Sequence, residues 1–139
     1  MSGLDRQSMP QSPDAPDRMA GMVPGVRAGG FLFLSAIRGR DPETGAMVEE
    51  PLPQARQALR NVEAVLAASG ATLAHVVKVT LYMHDLDRRK EFHQAWMEFF
   101  PKDPPARIAV GVADANAAPG GKAHYALDVI ALAPQGSPP

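Results

Sequence analysis

The chain has 139 residues, 45% of them hydrophobic and 21% charged, with a formal net charge of −1. That is one domain's worth of ordinary globular composition, with no global field to attract nucleic acid or an anionic membrane. Cysteine is absent, which excludes disulfides, thiolate metal sites and a cysteine nucleophile and fits a reducing, cytoplasmic setting.

Residues 1–20 are rich in Ser, Pro, Asp and Gln, and their composition predicts a disordered tail. They hold no apolar run of the kind a secretory leader carries, and no stretch of the chain reaches the ~18–20 apolar residues needed to span a bilayer. Residues 21–134 read as a single domain, with structure beginning near Val23, and residues 135–139 read as a second disordered tail. Val26-Arg27-Ala28 predicts a short strand with Gly29-Gly30 as its turn. Phe31 to Ala36 predicts another, the flanking glycines and two phenylalanines favouring strand over buried helix. Asp41-Pro42-Glu43-Thr44-Gly45 is a turn, with proline early and glycine where φ is positive.

The clearest helix follows. Pro51 suits its first turn, and Leu52, Ala55, Leu59, Val62 and Leu66 recur at spacings of three and four, leaving Gln54, Arg56, Arg60 and Glu63 on the other faces. Ser69-Gly70 ends it. Residues 76–83 alternate as a strand, with Val77, Val79, Leu81 and Met83 on one face and Lys78, Thr80 and Tyr82 on the other. Asp85 or Asp87 caps a second helix that runs to Phe100 and buries Phe92, Trp96 and Phe99. Two strands close the pattern, residues 108–113 and 125–132, joined by a Gly/Pro/Asn-rich loop.

The predicted order is β-β-α-β-α-β-β, an α+β domain whose two helices cover one sheet face. Lys78, Thr80, Tyr82, His124 and Asp128 are candidates for the uncovered face, which oligomerisation would bury. Pro104 and Pro105 give Arg107 a stiff, extended lead-in at a strand mouth, behind small Ala106. A planar five-donor guanidinium held there suits a bidentate grip on a carboxylate or phosphate; pairing with a neighbouring subunit or a loop carbonyl is the plainer alternative.

In their order and spacing these pieces resemble the Rid/YjgF family, also labelled endoribonuclease L-PSP or reactive-intermediate imine deaminase. The resemblance spans roughly residues 25–133. It rests on Gly30-Phe31-Leu32-Phe33-Leu34-Ser35, the turn at 41–45, helix 54–68, Val77-Lys78-Val79-Thr80-Leu81-Tyr82-Met83-His84-Asp85, Trp96-Met97-Glu98-Phe99-Phe100, Pro105-Ala106-Arg107 and Leu127-Asp128-Val129-Ile130-Ala131. It implies a chorismate-mutase-like fold and a homotrimer with intersubunit clefts. In such a cleft Arg107 would bind the carboxylate of a small imino or enamino acid, which water hydrolyses to a 2-keto acid and ammonia without a cofactor. Ser35 and the backbone of Ala36 and Ala109 would line the cleft.

The chain departs from the family pattern at several of these positions. Ser35-Ala36-Ile37-Arg38-Gly39 replaces Ser-Gly-Gln-Ile-Pro, and Met22 falls where the family has an aromatic residue. A family asparagine and a tyrosine fall on His93 and Trp96, and the water-orienting glutamate falls on Ala126. Strand alternation puts His124, Ala126 and Asp128 on one face, so His124 or Asp128 is the candidate replacement base. The competing expectations are a non-catalytic carboxylate-binding or regulatory trimer, and a divergent pathway enzyme using His124 on a different substrate.

Other signals are weak. His75, His84, His93 and His124 lack metal-ligand spacing, so no metal is expected. Arg88-Arg89-Lys90 is too short a basic run to predict RNA binding. The 117–121 loop has no nucleotide-binding pattern, and Ser35 has no recognisable triad partners.

Overall fold

The structure is a computed structural model that describes residues 3–115 and 122–134. The expected C-terminal tail at 135–139 and the 117–121 loop lie outside the described residues. In chain order the strands are β1 (Arg6–Ser8), β2 (Gly25–Ala28), β3 (Phe31–Leu34), β4 (Val76–Met83), β5 (Ala106–Gly111) and β6 (Tyr125–Leu132). Helix α1 (Pro51–Ala67) lies between β3 and β4, and α2 (Arg89–Phe99) lies between β4 and β5. They build one sheet in the order β1-β2-β3-β6-β4-β5, antiparallel except for the β4–β5 pair, which α2 connects. This is the expected α+β architecture with one strand more than the sequence predicts.

The extra strand is the correction at the N-terminus. Arg6–Ser8 pairs antiparallel with β2, Met9 enters the core, and Ser12 and Ala15 are buried, so residues 3–20 are not a disordered tail. Backbone pairing and two small anchors need little apolar content, which is why composition misses this segment. Between β2 and β3, Gly29 and Gly30 have φ of 58° and 83°, the conformation a two-residue hairpin turn demands.

Alternation along the strands creates two unlike faces. Leu32, Leu34, Val79, Leu81, Met83, Tyr125, Leu127 and Val129 are buried with Ala55, Leu59, Val62 and Leu66 of α1 and Phe92 and Trp96 of α2. Burying a side chain of this size stabilises the fold by about 1.5–3 kcal/mol. Phe99 packs only partly against the core. A register irregularity between Val76 and Lys78 shifts the start of β4, so Val76 is buried and Val77, expected in the apolar row, is exposed. On the other face Phe31, Phe33, Ile108 and Leu132 remain 39%, 44%, 52% and 44% exposed, beside Lys78, Thr80 and Asp128.

Helix α1 carries two buried amides. The spacing argument puts Gln54 on an outer face, but it is fully buried. Its Nε2 donates to the carbonyls of Val48 (2.7 Å) and Lys122 (3.0 Å), and its Oε1 accepts from the amides of His124 (2.7 Å) and Tyr125 (3.3 Å). Two turns on, Asn61 donates to the carbonyls of Arg38 and Arg40, both at 2.9 Å, and accepts from Gln57.

Candidate functional site

Arg107 stands on the edge strand β5, in register with Val79, which places it on the helix side of the sheet. Its guanidinium carbon lies 4.7 Å from the centre of the Trp96 ring, and Nη2 is 3.2 Å from Nδ1 of His93. Both partners ride on α2, whose spacing of three turns His93 and Trp96 towards β5. Trp96 is buried, giving a fixed aromatic floor, while His93 and Arg107 are open to solvent. Burial against that floor lowers the guanidinium's pKa from its ordinary value. A guanidinium stacked on a π-face keeps its N–H donors along its edge, where they can meet the oxygens of an anion. Ala109, two residues on, shares this side of β5 and leaves the space beyond Arg107 open.

Other expected members lie elsewhere in the chain. Ser35 and Ala36 follow β3, three strand spacings from β5 across β6 and β4, roughly 14 Å. Ser35 is held by its amide on the Pro24 carbonyl, and the Ala36 carbonyl accepts Arg18 Nη1 at 2.8 Å. Asp128 is opposite Thr80 on the uncovered face, so one chain puts Arg107 and Asp128 on opposite sides of the sheet. His124 is tied into the scaffold: Nε2 meets the Glu49 carbonyl at 2.8 Å, its amide donates to Gln54, and its carbonyl accepts from the His84 amide. A carbonyl only accepts, so Nε2 is the donor in this contact.

The position onto which the resemblance puts the family's glutamate, Ala126, is buried. Ala126 is 5% exposed in a small apolar cluster with Met47, Ala115 and Ala123, packed by Tyr82 and Val112. The structure therefore joins Arg107, His93, Trp96 and Ala109 within one chain, and leaves Ser35 with Ala36, His124 and Asp128 as separate pieces.

Sequence reasoning missed a second feature. A cavity of about 500 Å³ opens between the N-terminal segment, the chain after β3 and α1, lined among others by Arg18, Met22, Ala36, Arg38, Arg40 and Asn61. The available signal was Arg38-Gly39-Arg40: in an extended segment, alternate residues point the same way. Among the described residues no cluster of three metal-ligating side chains occurs, and no helix is long and apolar enough to cross a membrane.

A mixed sheet with both helices on one face is the α+β fold of solved Rid-family structures. Residues 12–123 match the endoribonuclease L-PSP family, and the chain belongs to that family, the Rid/YjgF proteins. It is 36% identical over 100 residues to a RutC family protein of Pyrococcus horikoshii, covering 71% of this chain and 79% of that one. It is 35% identical over 103 residues to the 2-iminobutanoate/2-iminopropanoate deaminase of Salmonella typhimurium, covering 72% and 80%. The crystal structure of E. coli TdcF with bound serine superposes with a TM-score of 0.82 at 26% identity, over 91% of this chain and 98% of that one.

Proposed function

We propose that this protein is a cytoplasmic homotrimeric imine or enamine deaminase-like hydrolase that grips a substrate carboxylate with Arg107 in a cleft between subunits. The observation that carries this is the Arg107 guanidinium laid over Trp96 beside His93. A relative is a 2-iminobutanoate/2-iminopropanoate deaminase, and a structural neighbour holds serine, which bears a carboxylate. Water adds to the C=N carbon, the C–N bond of the resulting carbinolamine breaks, and a 2-keto acid and ammonia leave. Ser35, Ala36 and Ala109 form walls of the cleft, a second chain bringing the β3 end towards the β5 edge. His124 or Asp128 is the group that would handle the water's proton.

The trimer is supported by the uncovered face bearing Phe31, Phe33, Ile108 and Leu132, since a half-apolar sheet face invites association. Sedimentation at micromolar concentration is expected to give a trimer, and Ile108→Asp to shift it towards smaller species. A clean wild-type monomer at 14.8 kDa would remove the intersubunit cleft from the proposal.

Calorimetric titration with 2-ketobutyrate, pyruvate or benzoate tests the grip. Arg107→Lys is expected to weaken binding as strongly as Arg107→Ala, to within about threefold, because an ammonium reproduces neither the fork nor the flat stacking surface. Full affinity in the lysine variant, or no binding by wild type, defeats the assignment.

A second reading is a binding or regulatory trimer that keeps the grip without catalysis. The observation favouring it is the apolar packing around Ala126, where a water-orienting carboxylate would otherwise stand.

A further inference from the structure

The cavity beside α1 has a charge arrangement that the deaminase reading does not use. Arg18, Arg38 and Arg40 all line it, and Arg18 and Arg38 are partly buried. Asp17 and Glu43 also contribute to the lining, but both are exposed, at its rim. Arg18 spends one N–H on the Ala36 carbonyl, and Arg38 spends Nε on the Ala115 carbonyl at 2.6 Å. A guanidinium has five donors, and among the described residues these are the hydrogen bonds that Arg18 and Arg38 give. Arg40 donates to the Gly45 carbonyl at 2.9 Å, from the turn that forms another wall.

The backbone under these side chains is fixed. Asn61, itself buried, holds the carbonyls of Arg38 and Arg40 together, and Gly39 between them packs so closely on Gln54 that a Cβ would fall onto the Gln54 backbone. Two cations are thereby presented on one side of a rigid, extended segment, with Arg18 brought against them from the N-terminal stretch. Burial and then the charge of Arg38 lower the pKa of Arg18; burial and then Arg40 lower that of Arg38, against the opposing pull of Asp114. Like charges held together in a concave, half-dry site repel, and an entering oxyanion relieves that repulsion.

We propose that this cavity is a binding site for a small dianionic oxyanion, a phosphate monoester or a dicarboxylate end, gripped by Arg18 and Arg38 with Arg40 alongside. The three arginines come from one chain and none of them is Arg107; Ala36 is a wall both of this cavity and of the cleft proposed above, so the two adjoin while their gripping side chains differ. Met22 and Ala36, at two positions where the chain departs from its family's pattern, clear one wall, and Arg38 occupies part of the same altered segment.

Titration with inorganic phosphate, malonate and acetate at matched ionic strength tests this. Phosphate or malonate is expected to bind saturably with a Kd near or below about 1 mM, acetate at least roughly tenfold more weakly. Phosphate alone binding identifies a phosphate monoester site, and malonate alone a dicarboxylate site. Arg38→Gln and Arg18→Gln should each weaken binding about tenfold or more, the loss of a charge-assisted pair, while Arg107→Ala leaves it unchanged. Arg18 makes one backbone hydrogen bond, so its variant reports on the site even where Arg38→Gln perturbs folding. Acetate binding as tightly as the dianions, no saturation by either dianion below about 10 mM, or unchanged affinity in a folded Arg18→Gln protein would each overturn the proposal. Loss of 2-ketobutyrate binding in Arg107→Ala with phosphate binding retained separates the two sites.

Discussion

Gln54→Leu is expected to remove about 3–5 kcal/mol of folding stability, a large part of the ~5–15 kcal/mol that holds a typical domain together. Leucine fills a similar volume, so packing is not the main loss. The side chain it replaces satisfies two carbonyls and two amides from two separate segments, residue 48 and residues 122–125, and it is fully buried. An orphaned buried donor or acceptor costs about 1–3 kcal/mol, and because Lys122 is exposed and His124 half-buried, their freed groups can turn to water, which keeps the sum below the upper limit. Gln54→Glu should be no milder, since a carboxylate cannot donate to Val48 and Lys122. Denaturant unfolding reads the difference; a change under about 1 kcal/mol would show that loop and strand hold their places without the amide.

Imine hydrolysis by the wild-type protein is expected to run about 10²–10⁴-fold slower than by a relative with a glutamate at the Ala126 position, the usual worth of positioned acid–base help. Imines also hydrolyse unaided, so such a loss brings the rate close to background. The Arg107 grip does not compensate, because binding ground and transition states equally leaves the chemical step unaccelerated. Residual activity should disappear in His124→Ala if this imidazole, held by its Nε2 on the Glu49 carbonyl, is the replacement base. Ala126→Glu should raise the rate while lowering thermal stability, because the new carboxylate must enter the packing of Met47, Ala115 and Ala123. Steady-state ammonia release from imines generated in situ measures all three proteins. A wild type that matches an efficient deaminase and is indifferent to His124→Ala would refute both the base assignment and the importance given to Ala126.

Where periodicity is strong, the sequence announces the element. Helix α1, strands β4 and β6 and the sidedness of both helices follow from apolar spacing, and the family is legible from motifs of fixed order. Spacing fails where a polar residue is buried for its hydrogen bonds. Gln54 belongs to no apolar stripe, yet is among the most enclosed side chains. Strand β1 is three exposed residues held by main-chain pairing alone, so side-chain chemistry carries no trace of it. Of the candidate site, Arg107 was legible from its stiff approach, and its neighbours on α2 from the resemblance. The arginine cavity was not, because Arg18 meets Arg38 only after the N-terminal segment folds back across the end of β3. Placing His124, Ala126 and Asp128 on one face was sound alternation, but alternation along one strand does not reveal that Arg107 faces the other way.

The strand order carries a consequence for biosynthesis. β6, the last of the described strands in chain order, lies between β3 and β4. Without it the sheet divides into two parts with unpaired edges: the β1–β2–β3 meander and the parallel β4–β5 pair spanned by α2. The second of these contains Arg107, His93 and Trp96, so every residue of that cluster precedes the strand that closes the sheet. The sheet itself closes by insertion rather than by growth at an edge, which leaves the half-made domain exposed to wrong edge pairing for as long as the final strand is being translated.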